Sequence, residues 1–196
     1  DQVAVVFAAT GAIGKAVSRA LAQAGANVYL TGRNTEALEA IAQDLSKYSV
    51  KWATVDACDD QAIDQFLQRV VQREGQLNIV FNAIGLRPSE SHYGQPAHSL
   101  SFEAFMRPME VHVGSQFLTA RHGAKHMIGS QSRGTILTLT ASLSRLKVPL
   151  MAGVVSACTA IEGLTRSLAA EYGRYVIRVI CLNPTALYGT RTILET

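Results

Sequence analysis

The strongest constraint on the fold is the alternation of short apolar runs, rich in β-branched residues, with longer stretches that carry apolar residues at helical spacing. The first pair sets the pattern. Val3–Ala8 predicts a strand, and Gly14–Gly25 predicts a helix that packs closely on it. Such repeats are typical of a parallel sheet whose strands are joined by crossover helices. The chain is therefore predicted to be an α/β protein.

The same alternation continues along the chain. Further strands are predicted at Asn27–Thr31, Lys51–Val55, Leu77–Ala83, Gly134–Thr140 and Tyr175–Leu182, with helices from Asn34, at Asp59–Gly75, at Met109–Ile128 and at Val154–Tyr172. Strands and crossover helices in this order, with glycines at the first strand-to-helix turn, predict a three-layer, doubly wound sheet of the Rossmann type. Residues 1–196 are expected to form one dinucleotide-binding domain, with its ligand at the carboxyl ends of the strands.

Charge and cysteine content argue against several classes of partner. Lys and Arg number 18 against 15 Asp and Glu, a net charge of +3, and they are scattered, which gives little support to a nucleic-acid or membrane partner. The three cysteines lie far apart and outside any CxxC or Cys/His cluster, so neither a disulfide framework nor a metal site is expected. The longest apolar run, Val3–Ala9, is much shorter than the ~20 residues of a membrane span. We expect a cytoplasmic protein.

The turn after the first strand has the form of a phosphate-binding turn. Its sequence is Ala8-Ala9-Thr10-Gly11-Ala12-Ile13-Gly14. Glycines at such a turn let helix N-terminal N–H groups approach a pyrophosphate. Gly11 and Gly14 supply the second and third glycines of the GxGxxG pattern, and the first is absent. The alternative is that both glycines serve only the turn and close helix packing.

The end of the second strand bears on the type of cofactor. An acidic residue there binds the ribose hydroxyls of NAD, whereas an Arg accommodates the 2′-phosphate of NADP. The segment reads Thr31-Gly32-Arg33-Asn34, with no carboxylate at the tip and Arg33 near the expected phosphate position. The sequence therefore favours NADP(H) over NAD(H). The alternative is that Arg33 is a solvated surface residue.

Several separate segments between Val3 and about Thr190 resemble the short-chain dehydrogenase/reductase family. They are the turn up to Gly14, similar to TGxxxGxG; Asp56-Ala57-Cys58-Asp59; Asn82-Ala83-Ile84-Gly85, similar to NNAG; Glu162–Glu171 with Ile177–Val179; and Asn183-Pro184-Thr185 in place of a PG turn. The resemblance implies that a nicotinamide dinucleotide is bound. The implied cofactor contacts are Thr10, Gly11, Ile13, Gly14, Arg33, Asp56, Ala57, Asn82, Gly85 and Pro184.

The residues that carry out the family's chemistry are replaced. Family members use a Tyr as general acid/base, a Lys that lowers the Tyr pKa, a Ser that orients the carbonyl and an Asn in a water relay. By the resemblance, Val154 and Cys158 stand at the Tyr and Lys positions, Ala141 at the Ser and His112 at the Asn. No small register shift restores the pair, because no Tyr lies between positions 93 and 172 and no Lys follows position 147. The usual mechanism is not expected here.

Other residues are candidates for the missing groups. His112 is a weak candidate for the proton donor, Ser142 or Ser144 for a carbonyl-binding hydroxyl, and Tyr93 and Tyr188 lie in loops that border the same cleft. Cys158 is expected to be an inert core thiol. Three functions remain open: an NADP(H)-binding oxidoreductase acting on an alcohol or carbonyl through an unusual site, an inactive NADP(H) sensor or partner subunit, and a structural module that binds no nucleotide.

The resemblance has two further implications. It implies a homodimer or homotetramer formed by the helices predicted at 109–128 and 154–172, where small residues such as Ala120 and Ala157 permit close packing. The family's sheet also ends in a seventh strand that follows a substrate loop. We expect both to be missing from these 196 residues.

Overall fold

A parallel sheet of six strands forms the centre of the computed structural model, which describes residues 2–190 and Leu194. The strands are β1 Val3–Phe7, β2 Asn27–Gly32, β3 Val50–Thr54, β4 Ile79–Asn82, β5 Gly134–Leu139 and β6 Ile177–Leu182. Every pairing is parallel, and the spatial order is β3-β2-β1-β4-β5-β6. The predicted doubly wound Rossmann-type fold is confirmed, and the strand order reverses between β1 and β4.

Helices cover both faces of the sheet. They are α1 Ala12–Gln23, α2 Thr35–Asp44, α3 Asp60–Glu74, α4 Phe102–Pro108, α5 Gly114–Gly129 and α6 Ala152–Tyr172. The helix predicted at Met109–Ile128 is present as α5, but its predicted start is wrong: Met109–Val113 forms a π-helical turn, and α4 precedes it. Pro108 has no N–H with which to continue the α-helical ladder, and the backbone widens just after it. The other predicted elements are present with bounds shifted by up to two residues.

Two apolar layers hold the sheet between its helices. Val3, Val5 and Phe7 point into the layer that α3 and α5 cover, whereas Ala4 and Val6 point into the layer that α1 and α2 cover. Every residue of β1 is buried as a result. This is why the sequence of β1 is a continuous apolar run rather than an alternating one.

A charged cluster joins α3 to α5 outside the apolar layer. Asp64 accepts hydrogen bonds from Lys125 Nζ at 2.7 Å and lies 2.8 Å from His126 Nε2 and 3.1 Å from His122 Nδ1. Asp60 pairs with Arg121 and with His122 in the same way. The Lys125 ammonium, with His126, lowers the pKa of Asp64 to about 2. The cluster therefore helps to hold α5, which begins beside the candidate site.

Candidate functional site

The turn between β1 and α1 is closed by backbone contacts. Ala8, at the position of the missing first glycine, has a left-handed backbone with φ of +57°, and its carbonyl accepts a hydrogen bond from Gly11 N at 3.2 Å. A Cβ at Gly14 would lie 2.3 Å from the Ala8 oxygen, so no side chain fits there. A Cβ at Gly11 would meet its nearest neighbour only at 3.6 Å. Gly14 is thus required by the turn itself, whereas Gly11 is exposed on its outer surface.

The N-terminus of α1 differs from those of α2 and α3. Asn34 and Asp59 cap α2 and α3 with side-chain hydrogen bonds, and each of these helices has an acidic residue in its first turn. At α1 the N-cap is Gly11, with no side-chain cap and no acidic residue in the first turn. The first N–H groups of a helix lack intrahelical partners and favour negative charge. The start of α1 therefore fits a phosphate, whereas those of α2 and α3 already hold side-chain acceptors.

Arg33 extends into solvent at the end of β2. Its side chain is 80% exposed, and its guanidinium lies 3.9 Å from Asp56 Oδ2. Asp56 Oδ1 accepts a hydrogen bond from Cys58 N at 2.9 Å, which fixes the turn after β3, and Ala57 is buried beneath that turn. An exposed pair at this distance contributes little to stability. Arg33 is therefore available to a ligand, although a solvated surface residue would have the same geometry.

Asn82 holds together the chain at the end of β4. Its Oδ1 accepts a hydrogen bond from Ile84 N at 2.8 Å, and its Nδ2 donates to Thr119 Oγ1 of α5 at 3.1 Å. The residue is buried, so both side-chain contacts lie inside the protein. Asn82 therefore fixes the chain that leads from β4 to the exposed Gly85. The predicted contact of Asn82 with a cofactor stays a prediction.

Gln116 on α5 is a site residue that the sequence analysis missed. Its Nε2 donates hydrogen bonds to Asn82 O at 3.2 Å and to Leu139 O at 3.3 Å, and so joins the carboxyl ends of β4 and β5. The side chain is buried, and its Oε1 has no hydrogen-bond partner among residues 2–190. The available signal was its position four residues after His112, on the same face of a helix.

The four positions of the family's catalytic residues lie on neighbouring elements. Ala141 follows β5, Val154 and Cys158 are buried on α6, and His112 lies in the π-helical turn, which packs against α6. Thr140 Oγ1 donates to Cys158 O at 3.2 Å and ties the end of β5 to α6. The side chains of Ala141 and Val154 have no proton to transfer. That these positions correspond to the family's catalytic residues stays a prediction from the resemblance.

His112 acts as a hydrogen-bond acceptor in this structure. Its Nε2 accepts from Leu86 N at 2.8 Å, so the proton of the neutral ring is on Nδ1. Burial lowers the pKa of His112 to about 4, which leaves the ring neutral at pH 7. A neutral imidazole whose Nε2 is an acceptor has no proton to give from that atom. The geometry does not favour the predicted role of His112 as proton donor, and the residue instead fixes the loop after β4.

Tyr93 and Tyr188, the two loop tyrosines, differ in their surroundings. Tyr188 is 96% exposed. Tyr93 is half-buried, in a loop tied to the segment before α6 by a hydrogen bond from Gly94 N to Leu150 O at 3.1 Å. Burial raises the pKa of Tyr93. Of the two, Tyr93 is the one held against the protein, in a loop that is hydrogen-bonded to the segment before α6.

Ser142 and Ser144 are also distinguished by their contacts. Ser144 Oγ donates to Glu162 Oε1 at 2.6 Å, so its proton is committed within the protein. Ser142 uses its backbone N–H for a hydrogen bond to Pro184 O at 3.0 Å. Its hydroxyl makes no hydrogen bond within the described part of the chain. Ser142 is therefore the better placed of the two to bind a carbonyl.

A Tyr and a Lys share a hydrogen-bond acceptor elsewhere in this protein, near the amino ends of the strands. Tyr29 Oη donates to Glu74 Oε1 at 2.5 Å, and Lys51 Nζ donates to the same oxygen at 2.7 Å. Burial and the Glu74 carboxylate raise the pKa of Tyr29, the opposite of what a general base needs. These residues lie near the amino ends of β2 and β3 and tie α3 to the sheet.

Two further observations concern membranes and metals. Across residues 2–190, no helix has the length and apolar character needed to cross a bilayer. In the same part of the chain, no group of three or more His, Cys, Asp or Glu side chains is arranged to hold a metal ion. Cys58, Cys158 and Cys181 are free thiols, and Cys158 is buried as expected for a core residue.

Comparison with known proteins gives consistent matches. Residues 2–193 match the family model of the short chain dehydrogenases. The chain is 29% identical over 185 residues to an uncharacterized oxidoreductase of Staphylococcus aureus (strain USA300), covering 94% of this chain and 77% of that protein. It is 28% identical over 183 residues to a 2,5-dichloro-2,5-cyclohexadiene-1,4-diol dehydrogenase of Sphingobium indicum, covering 93% of this chain and 71% of the relative.

Solved structures agree with these matches. A metagenomic short-chain oxidoreductase in complex with NADP superimposes with a TM-score of 0.82 at 27% identity, over 95% of this chain and 82% of the other. An alcohol dehydrogenase from the archaeon Thermococcus sibiricus, complexed with 5-hydroxy-NADP, gives a TM-score of 0.83 at 28% identity, over 97% and 79% of the two chains.

Proposed function

This chain belongs to the short-chain dehydrogenase family, and on that premise we propose that it is an NADP(H)-dependent oxidoreductase acting on an alcohol or carbonyl group. The observation that carries the proposal is the uncapped, carboxylate-free N-terminus of α1, which lies at the same edge of the sheet as the exposed Arg33. The first feature suits a pyrophosphate and the second a 2′-phosphate. Two similar solved structures, with NADP and 5-hydroxy-NADP bound, support the choice of NADP(H).

The proposed cofactor contacts follow the carboxyl edge of the sheet. The pyrophosphate would meet the turn after β1, the 2′-phosphate Arg33 and the adenine the turn after β3, while the loops after β4 and β6 would hold the remainder. The residues are Thr10, Gly11, Ile13, Gly14, Arg33, Asp56, Ala57, Asn82, Gly85 and Pro184. When bound in its reduced form, the nicotinamide supplies a hydride.

A carbonyl that accepts a hydride also needs a proton on its oxygen. Val154 and Ala141 have none to give, and His112 accepts a hydrogen bond through its Nε2. We therefore propose Tyr93, whose loop is hydrogen-bonded to the segment before α6, as proton donor, and Ser142 as the hydroxyl that orients the carbonyl. Tyr93 would give its phenolic proton to the oxygen and regain one from water. The phenol of Tyr93 is protonated at neutral pH, as reduction requires, and burial raises its pKa further.

A second candidate is an NADP(H)-binding sensor or partner subunit without turnover. It is favoured by the burial of Val154 and Cys158 and by the neutral state of His112, since none of these can replace the family's Tyr and Lys. Both candidates share the same cofactor site. A fold of this type does not by itself establish an activity.

A reductase assay with mixed aldehydes and ketones and NADPH separates the two candidates. The oxidoreductase predicts turnover that falls at least about a hundredfold in Tyr93→Phe, within the range usual for general acid catalysis. Tyr175→Phe, at the opposite edge of the sheet, is the matched control and should keep full turnover. Turnover that survives in Tyr93→Phe but is lost in His112→Ala would assign the proton to His112 instead. NADPH binding without turnover would establish the second candidate.

Assembly and location stay proposals. Ala120 and Ala157, two of the small residues expected to form a subunit interface, are fully buried within the chain and serve its own packing. Phe117 and Ile128 are the larger apolar side chains that α5 leaves exposed. We place the proposed dimer or tetramer contact there. A cytoplasmic location and the lack of a nucleic-acid partner stay expectations from the sequence.

A further inference from the structure

Three segments meet at the Glu162 carboxylate on α6. Ser144, from the loop after β5, donates its hydroxyl proton to Glu162 Oε1 at 2.6 Å. Asn183, from the loop after β6, donates through Nδ2 to the same oxygen at 2.5 Å. Arg145 Nε lies 3.7 Å away, and the Glu162 side chain is only 14% exposed. A carboxylate this far removed from water needs such partners, because burial of an unpaired charge is costly.

The same two loops are joined by backbone hydrogen bonds. Thr140 N donates to Leu182 O at 3.0 Å, and Ser142 N donates to Pro184 O at 3.0 Å, so the pairing of β5 and β6 continues past both strands. Glu162 is the side-chain contact that joins the loops just beyond this point. Asn183 depends on Glu162 for the hydrogen bond of its side chain. Its other polar atom, Oδ1, is buried without a hydrogen-bond partner in the described part of the chain.

We propose that Glu162 is a positioning residue that fixes the loops after β5 and β6 relative to each other, and thereby fixes the wall of the cleft between Ser142 and Pro184. The proposal rests on the proposed function only in taking this wall to border the cofactor and substrate. Glu162 touches neither of them. It acts through Ser144, from the loop that begins at Ala141, and through Asn183, directly before the predicted cofactor contact Pro184.

Hydrogen exchange of the ligand-free protein tests the proposal without any activity. In Glu162→Ala, amides at 142–146 and 183–187 should exchange about tenfold faster together, while exchange in β1, β2 and α1 stays unchanged. Glu171→Ala, an exposed acidic position on the same helix, is the matched control and should change neither loop. Unchanged exchange at both loops would overturn the proposal. So would faster exchange spread through α6 and the sheet with a lower Tm, which is what a general stability effect produces.

A double-mutant cycle adds a readout that a merely structural role would not move. Ser144→Ala and Glu162→Ala should not add in their effect on exchange at 183–187, because both break the same connection. Additive effects would overturn the proposal. Glu162→Gln, which keeps the size of the side chain, covers the case in which Glu162→Ala does not fold.

NADPH affinity links the wall to the proposed function. Glu162→Ala should raise the Kd for NADPH about fivefold, and Glu171→Ala should leave it unchanged. An unchanged Kd in Glu162→Ala alongside faster loop exchange would overturn the claim that the wall borders the cofactor. If the wild-type protein binds no NADPH, the proposed function fails, while the exchange experiment still decides the role of Glu162.

Discussion

The β1–α1 turn and α6 differ in how much of the family's pattern they keep. At the β1–α1 turn, Ala8 replaces a glycine and still adopts the left-handed conformation that the turn needs. On α6, the two residues that the resemblance assigns to the Tyr and Lys positions, Val154 and Cys158, are a buried valine and a buried thiol. A turn whose donors are backbone N–H groups can keep its geometry through side-chain changes, because the backbone conformation holds the donors. Proton transfer depends on a particular side chain, so another residue has to supply the proton, and for this role we propose Tyr93.

The largest expected effect on stability concerns the β1–α1 turn. Gly14→Ala would force a Cβ to within 2.3 Å of the Ala8 oxygen, and the backbone would have to move. We expect a loss of about 3 kcal/mol in the free energy of unfolding, as for overpacked cores. Urea denaturation measures it.

Gly11→Ala is the control for that change, because its Cβ would meet its nearest neighbour only at 3.6 Å. It should cost less than about 1 kcal/mol of stability while still weakening NADPH binding, since the new methyl group lies on the exposed side of the turn. Equal losses of stability in the two variants would contradict the distinction drawn between the two glycines.

A smaller effect on stability concerns the pairing of Asp64 with α5. The pKa of Asp64 is lowered from 3.8 to about 2, so its pairing with α5 stabilises the fold above that usual value and is lost as the pH falls toward 2. Asp64→Asn should therefore cost up to about 1 kcal/mol at pH 7, a small figure because the pair is partly exposed.

Unfolding of the wild-type protein and of Asp64→Asn should be compared at pH 7 and again near pH 2. The difference between them should shrink as the pH falls, because protonated Asp64 no longer pairs with Lys125. A difference that is the same at both pH values would show that the effect does not come from ionisation of this carboxyl group.

The smallest expected effect on stability is at Ala8, in the β1–α1 turn. Ala8→Gly removes the cost of a left-handed alanine, roughly 1 kcal/mol, but also loosens the unfolded chain. We expect a net stabilisation of about 0.5 kcal/mol, measured by thermal or urea unfolding. Gln131→Gly, at another left-handed position with φ of +53° in the loop after α5, should behave similarly. Destabilisation by Ala8→Gly would show that the turn does not depend on this conformation.

The fold could be predicted because strand and helix patterns alternate along the chain, and because β1, which is buried on both faces, is a continuous apolar run. The site could be predicted only in part. The buried position of Gln116 depends on carbonyls of β4 and β5 that are distant in sequence, and a Gln on a helix is ordinarily exposed. The acceptor role of His112 depends in the same way on Leu86, and α4 was missed in a loop rich in Pro and Ser.

The central claim is that the β1–α1 turn and Arg33 bind NADP(H). It is tested most directly by calorimetric titration with NADPH and then NADH. We expect a micromolar Kd for NADPH and at least tenfold weaker binding of NADH, which is a difference of about 1.4 kcal/mol in binding free energy. In Arg33→Gln the two affinities should become similar, because the proposed contact with the 2′-phosphate is removed. Equal affinities in the wild-type protein, or no binding of either nucleotide, would contradict it.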